Sequence, residues 1–124
     1  MTRYIFRLCT AADWDAFRAV GRFTGNEADR RDGFIHFSAA EQVAETAAKH
    51  YVGPEPLVLL AADADALGDA LKWEPSRGGA LFPHLHAALP IANVVAWRAV
   101  SDRDFAFLAR SPQPTEAEEW IFIR

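Results

Sequence analysis

One cysteine, Cys9, is all the chain has. No intrachain disulfide can form, which fits a reducing compartment. No apolar run approaches the roughly 20 residues that a membrane span needs. The N-terminal Met1-Thr2-Arg3-Tyr4 has no apolar stretch of the kind a secretory signal requires. The expected location is therefore cytoplasmic, with no membrane partner. Positive charge is short as well: 13 Lys and Arg stand against 17 Asp and Glu, a formal net charge of -4. A phosphate backbone would be repelled on average, so no nucleic-acid partner is expected, and only a small local basic pocket stays open.

The general catalytic signatures are missing too. No G-x-G-x-x-G follows a strand, which argues against a Rossmann dinucleotide site. There is no Walker A loop, no C-x-x-C pair, no H-E-x-x-H and no G-x-S-x-G. Repeats and low-complexity tracts are absent. What remains is an ordinary globular composition of 124 residues, 51% apolar and 24% charged. That is one domain's worth, residues 1–124, with residues 111–124 read as a C-terminal extension.

Hydrophobic periodicity places the elements. Tyr4, Phe6 and Leu8 alternate on a strand. Thr10 with Asp13 reads as a helix cap, and Trp14, Phe17 and Val20 recur at helical spacing as a core stripe ended by Gly21. Residues 21–33 read as one long polar loop, a kind of segment often functional. Phe34–Phe37 is a second strand. Ser38 with Glu41 predicts a cap for a helix starting at Ala39, whose apolar face is Val43, Ala44, Ala47, Ala48 and Tyr51. Leu57–Ala62 is a continuous apolar run, expected of a strand covered on both faces. Residues 65–70 read as a short helix or turn, Leu71–Glu74 as a strand and Ser76–Gly79 as a turn. Leu81–His86 reads as an edge, because Pro83 cannot donate to a ladder. Val94–Val100 and Trp120–Ile123 complete the strands. Two main helices, both early, and five or six strands that do not alternate with them predict an α+β fold.

Three constellations hold chemistry. His36 and Ser38 lie two apart on a strand that ends where a helix begins, so both face a place where free N–H donors favour an anion. The structural alternative makes Ser38 a cap and His36 a core histidine. Trp73-Glu74, with Arg77 and Gly78-Gly79, sets a carboxylate beside an indole. Desolvation there would raise the Glu74 pKa and suit acid–base work. Arg77 offers a planar fork for phosphate or carboxylate, and the two glycines allow close approach. The alternative is a surface Glu–Arg pair on a tight turn. Phe82, His84 and His86 share a face if their segment is extended. His84 and His86, with His36, have the spacing of metal ligands, but no cysteine or carboxylate completes a set, so no metal is expected. His50 at a helix end complements the helix dipole. Cys9, on the face of Ile5 and Arg7, reads as a buried inert thiol.

The blocks DGFIHFS, AEQVAETA, LVLLAAD, WEPSRGG and FPHLHAALP, in that order over residues 3–100, resemble the bacterial protein family of unknown function numbered 952. His86 and Phe23 depart from the pattern, each where a tyrosine is expected, so an aromatic hydroxyl at those places is not essential. The resemblance implies an ADP-ribosyltransferase-like fold: a mostly antiparallel, split β-sheet with two main helices that cradles NAD. It further implies a ribose-binding segment at His36 and Ser38, an aromatic wall for nicotinamide at Trp73 or Phe82, and Glu74 as the glutamate near the ribose hydroxyls. His36 and Glu74 are the candidate catalytic residues. Ser38, Trp73, Arg77, Gly78, Gly79, Phe82 and His84 join His36 as candidate ligand-binding residues. No bound cofactor follows from the motifs; NAD is the candidate substrate. A small-molecule ligand is the expected partner, with a monomer as the default assembly. Against ADP-ribosyl transfer stand two readings: a non-catalytic module that binds a metabolite or partner in the same cleft, and a metal-dependent hydrolase using His36, His84 and His86.

Overall fold

Alternation along the first strand, β1 (Tyr4–Thr10), sends Ile5 and Cys9 to one face and Phe6 and Leu8 to the other, and all four are buried. A computed structural model of the chain describes residues 3–51, 53, 55–101, 105–115 and 118–123. In it β1 pairs antiparallel with β4 (Leu57–Asp63), which pairs with β8 (Val94–Val100), which pairs with β9 (Ile121–Phe122). The continuous apolar run of β4 has the expected cause. Val58, Leu60 and Ala62 join the apolar cluster on one side of the sheet, and Leu59 and Ala61 the cluster on the other.

Helix α1 (Ala11–Val20) covers the first side. The Thr10 hydroxyl accepts from Asp13 N (3.0 Å), a cap contributing about 1 kcal/mol. Trp14 and Phe17 are buried, edge to face, with centroids 5.4 Å apart. Val20 does not join them: it is 73% exposed, because it falls on the last turn, past the edge of the core. Helix α3 (Val43–His50), the neighbouring α4 (Phe105–Ala109) and Trp120 cover the second side. Val43 and Ala47 are buried there, whereas Ala48 faces solvent. The C-terminal segment is part of this architecture, with Trp120 packed on Phe6 and Phe107.

A second sheet, of order β3-β6-β5, comprises β3 (Ile35–His36), β6 (Leu81–Leu85) and β5 (Leu71–Pro75). Its seam with the first is a bridge between Ser38 and Phe6, with a backbone bond of 2.8 Å in each direction. β6 is central, not an edge. Residues on a strand point N–H and C=O the same way, and the Pro83 carbonyl accepts from Phe37 N (3.0 Å). The missing N–H faces the same flank, opposite Phe37 just past the end of the two-residue β3, so the omission falls at the margin of that pairing and leaves the β5 flank untouched. The stretch 21–33 is also structured. It holds β2 (Arg22–Phe23), paired with β7 (Leu89–Pro90), and helix α2 (Glu27–Asp32). Ser38 is not a cap, since the bridge to β1 holds it extended. A 3-10 turn over Ala40–Gln42 precedes α3, and the Gln42 side chain reaches back to accept from Ala39 N (2.9 Å). No helix among the described residues is long and apolar enough to cross a membrane.

Candidate functional site

Asp29 is the anchor of the site. Helix α2 opens with a reciprocal cap: Asn26 Oδ1 accepts from Asp29 N (3.0 Å), and Asp29 Oδ2 from Asn26 N (2.7 Å). Gly25 before it sits at φ +101°, and a Cβ there would lie 2.5 Å from the Asp29 Cβ, so only glycine fits. The other oxygen, Oδ1, accepts from Arg7 Nη1 (2.7 Å), His36 N (3.0 Å) and His36 Nδ1 (2.6 Å). Burial alone would raise the carboxyl pKa, but the hydrogen bonds from His36 and Arg7 outweigh it and hold Asp29 below the usual carboxylate range. Arg7 also donates to the His36 carbonyl (3.0 Å), so one buried pair ties β1, α2 and β3 together.

Around this anchor three histidines share a phenylalanine. Phe34 stacks on His84 (centroids 4.0 Å, 23°) and lies tilted against His36 (4.7 Å) and His86 (5.2 Å). The second ring nitrogen of His36, Nε2, meets Asp32 Oδ2 at 2.9 Å. An imidazolium satisfies both carboxylates, a neutral ring only one. Opposite, one oxygen of Glu74, Oε1, takes both His84 Nδ1 (2.9 Å) and His86 Nε2 (2.8 Å). Those bonds, from His86 first and then His84, hold the Glu74 carboxyl below its ordinary value. Burial pulls the His84 pKa down, against the opposing pull of Glu74.

Beside the histidines lies a cavity of about 540 Å³, within the usual range of small-molecule sites. α2 contributes Asp29 and Asp32, α3 contributes Thr46 and His50, the turn after β5 contributes Ser76 and Arg77, and β6 contributes Phe82 and His84. Arg7, Asn26, Arg31, His36, Ser38 and Tyr51 add further polar groups to its wall. Arg7 is buried, and its Nε and Nη2 find no hydrogen-bond partner among the described residues. Burial opposes its charge, but Tyr51 and Asp29 offset that, and the guanidinium stays protonated. Across the cavity Arg77 donates to Thr46 Oγ1 (3.0 Å), which also meets Ser38 Oγ (2.9 Å), and its guanidinium lies over Phe82 at 4.9 Å. Arg77 Nε stands 3.3 Å from Glu45 Oε1, an ion-pair distance without hydrogen-bond geometry.

The structure thus brings His36, Ser38, Arg77, Phe82 and His84 to one cavity. Four sequence candidates, Trp73, Glu74, Gly78 and Gly79, are not among its lining residues. Trp73 points to the other side of β5, packs against the core and lies under Arg3 (4.0 Å), so it is no wall of this cavity. Gly78 and Gly79 are exposed at a turn, where φ values of +68° and +79° account for them. Glu74 is not desolvated by its neighbour Trp73, because alternation puts the two on opposite faces. Its pKa goes down rather than up. His84 and His86 spend a nitrogen each on Glu74, and no cluster of three metal-ligating side chains occurs among the described residues. Arg7, Asp29, Phe34 and Thr46 were missed. The signals for Asp29 were present, in Asn26 three residues before it and Gly33 four after. An arginine inside the otherwise apolar β1 was the one mark of Arg7.

Fold and site define an α+β protein of antiparallel sheets with one polar cavity at the seam between two of them. The chain belongs to the protein family of unknown function DUF952, whose model matches residues 8–97. It is similar to protein CC0527 from Caulobacter crescentus, whose crystal structure has a TM-score of 0.77 and 50% identity over 79% of this chain and 86% of that one. The crystal structure of a double mutant of that protein gives 0.77 and 49% over the same shares. Its solution NMR structure gives 0.68 and 52% over 78% and 82%. No activity is named for any of them, and no curated protein matches the chain.

Proposed function

We propose that the cavity binds a nucleotide-type ligand, NAD or an ADP-ribose-like molecule, and that the chain is an ADP-ribosyltransferase-like enzyme. The observation that carries this is a cavity lined by two guanidiniums, Arg77 and the buried Arg7, whose Nε and Nη2 have no hydrogen-bond partner among the described residues. A buried donor left without a partner costs about 1–3 kcal/mol, and a phosphate oxygen removes that cost. A planar fork suits phosphate better than a point charge does. Two guanidiniums facing one space match a diphosphate. His36, Ser38 and Thr46 supply polar contacts for ribose hydroxyls, and of the two candidate aromatic walls, Trp73 and Phe82, Phe82 is the one that lines the cavity.

One observation favours the non-catalytic alternative. Glu74 is occupied by His84 and His86 and does not line the cavity, so the glutamate that transfer calls for is not at hand. Isothermal titration with NAD and ADP-ribose, beside nicotinamide release from NAD, separates the two readings. Arg77→Gln should weaken ADP-ribose binding by roughly 1.5–3 kcal/mol, about 10- to 150-fold. Its thermal stability should stay near that of the parent, since a partly exposed residue is replaced. Equal affinity of parent and variant would remove the phosphate contact on which the reading stands.

A further inference from the structure

His84 is the ring in the cavity wall whose bonding state follows from geometry. A neutral imidazole has one N–H and one bare nitrogen. Glu74 Oε1, an acceptor when ionised, stands 2.9 Å from Nδ1, so Nδ1 carries the proton and Nε2 is the bare nitrogen. The ring is held on both sides of its function: Phe34 stacks on it at 4.0 Å, and Glu74 is itself steadied by His86 at 2.8 Å. His84 is 4% exposed, yet it lines the cavity that Arg7 and Arg77 make favourable to anions. A carboxylate fixing the tautomer of an imidazole whose other nitrogen meets substrate is the arrangement that general-base catalysis requires.

We propose that His84 is the proton acceptor of this site, with Glu74 as its positioning residue, and that it activates a water or hydroxyl toward the ribosyl carbon of the bound nucleotide. This rests on the nucleotide-type reading of the cavity. In the step, the attacking oxygen forms its bond to the ribosyl carbon and gives its proton to His84 Nε2. The bond from that carbon to the nicotinamide nitrogen breaks, and its electron pair leaves with neutral nicotinamide. The charge lost from the pyridinium appears on the imidazolium, where Glu74 stabilises it. Proton loss to solvent then restores the ring. The other titratable groups facing His84 are Lys72, its cross-strand partner on β5, His86 on the Glu74 side, and His36, with its ring centroid 5.7 Å away, which brings Asp29 and Asp32 behind it.

Nitrogen-15 NMR of histidine side chains in the full chain at pH 7 tests the tautomer without any turnover. Protonated Nδ1 and bare Nε2 at His84 support the assignment, and a proton on Nε2 overturns it. The second arm is nicotinamide release from NAD. His84→Asn should lower kcat by about 100-fold or more, as removal of a general base does, a far larger loss than any change in ADP-ribose affinity. Glu74→Gln should lower kcat at unchanged KM and move the acid limb of the pH profile to lower pH, because Glu74 holds the His84 proton on. A purely structural role for Glu74 would leave that limb in place. ADP-ribose binding with no nicotinamide release from the parent overturns the base assignment and leaves the nucleotide reading standing. Bare Nε2 with neither NAD nor ADP-ribose bound overturns the nucleotide reading and, with it, this step.

Discussion

Replacing Asp29 by Asn tests whether one buried carboxylate holds the site together. Asp29 and Arg7 are 2% and 3% exposed. The carboxylate receives bonds from Arg7 Nη1, His36 N, His36 Nδ1 and Asn26 N. An asparagine removes the charge and turns an acceptor into a donor facing donors. Arg7 is left buried and uncompensated, a change that typically costs about 3–5 kcal/mol. At roughly 3–5 °C per kcal/mol for a chain of this size, Tm should fall by about 10–25 °C. The assay is urea and thermal unfolding followed by circular dichroism, beside Asp32→Asn as control. Asp32 lies at the surface, and its change should lower Tm far less than the Asp29 change does. The pH dependence follows from the same contacts. Asp29 has a folded pKa below its unfolded value of about 3.9. Its stabilisation is therefore present above that value and lost as pH falls through the lower, folded one. Asp29→Asn should flatten the acid side of the stability curve. A loss below about 1 kcal/mol, with the acid slope intact, would refute the claim that Arg7 depends on Asp29.

Two further outcomes follow from burial and backbone geometry. Cys9 is 2% exposed, and burial pushes its thiol up to about 12, so a thiol reagent at pH 8 should label the unfolded chain and leave the native one untouched. Fast native labelling would contradict that. Gly25→Ala should destabilise clearly more than Gly33→Ala. Both sit at positive φ, a strain of roughly 1–3 kcal/mol, but only at Gly25 does the added Cβ meet another atom, 2.5 Å away. Equal costs would mean that α2 shifts freely to make room.

Where local pattern and tertiary environment agreed, the sequence was a sufficient guide. β8 runs over Val94–Val100 as its alternation indicates, and Thr10 caps α1 as its spacing to Asp13 indicates. The double-sided burial of β4 was legible because no polar residue interrupts Leu57–Ala62. α2 was not, because six residues with Asp29 as their one buried side chain show no apolar period. Pro83 misled because its missing donor lies on the flank where the two-residue β3 is ending, so the pairing of β6 with β5 is unaffected. Arg7 was hidden because strand alternation places a side chain without saying that the space beside it is an open cavity. The Glu74 environment turned on facing, which a neighbour in sequence cannot supply.

Helix α2 is too short to persist alone, since isolated helices under about 12 residues are marginal in water. Its ends are closed by Asn26 and Gly33, and its one tertiary anchor of weight is the Asp29 carboxylate. The Phe34 amide, at 3.2 Å, and the Gly33 amide, at 2.8 Å, both bond to the main-chain carbonyl of the residue whose side chain is that anchor, Asp29. Releasing it strips a buried arginine of its counter-ion. Opening of this segment is therefore coupled to loss of the Arg7–Asp29 pair, and the Asp29→Asn variant should speed exchange of these amides. The partly solvated turn at Ser76–Gly79, which contacts α3 through Arg77, is the side of the cavity that can give way.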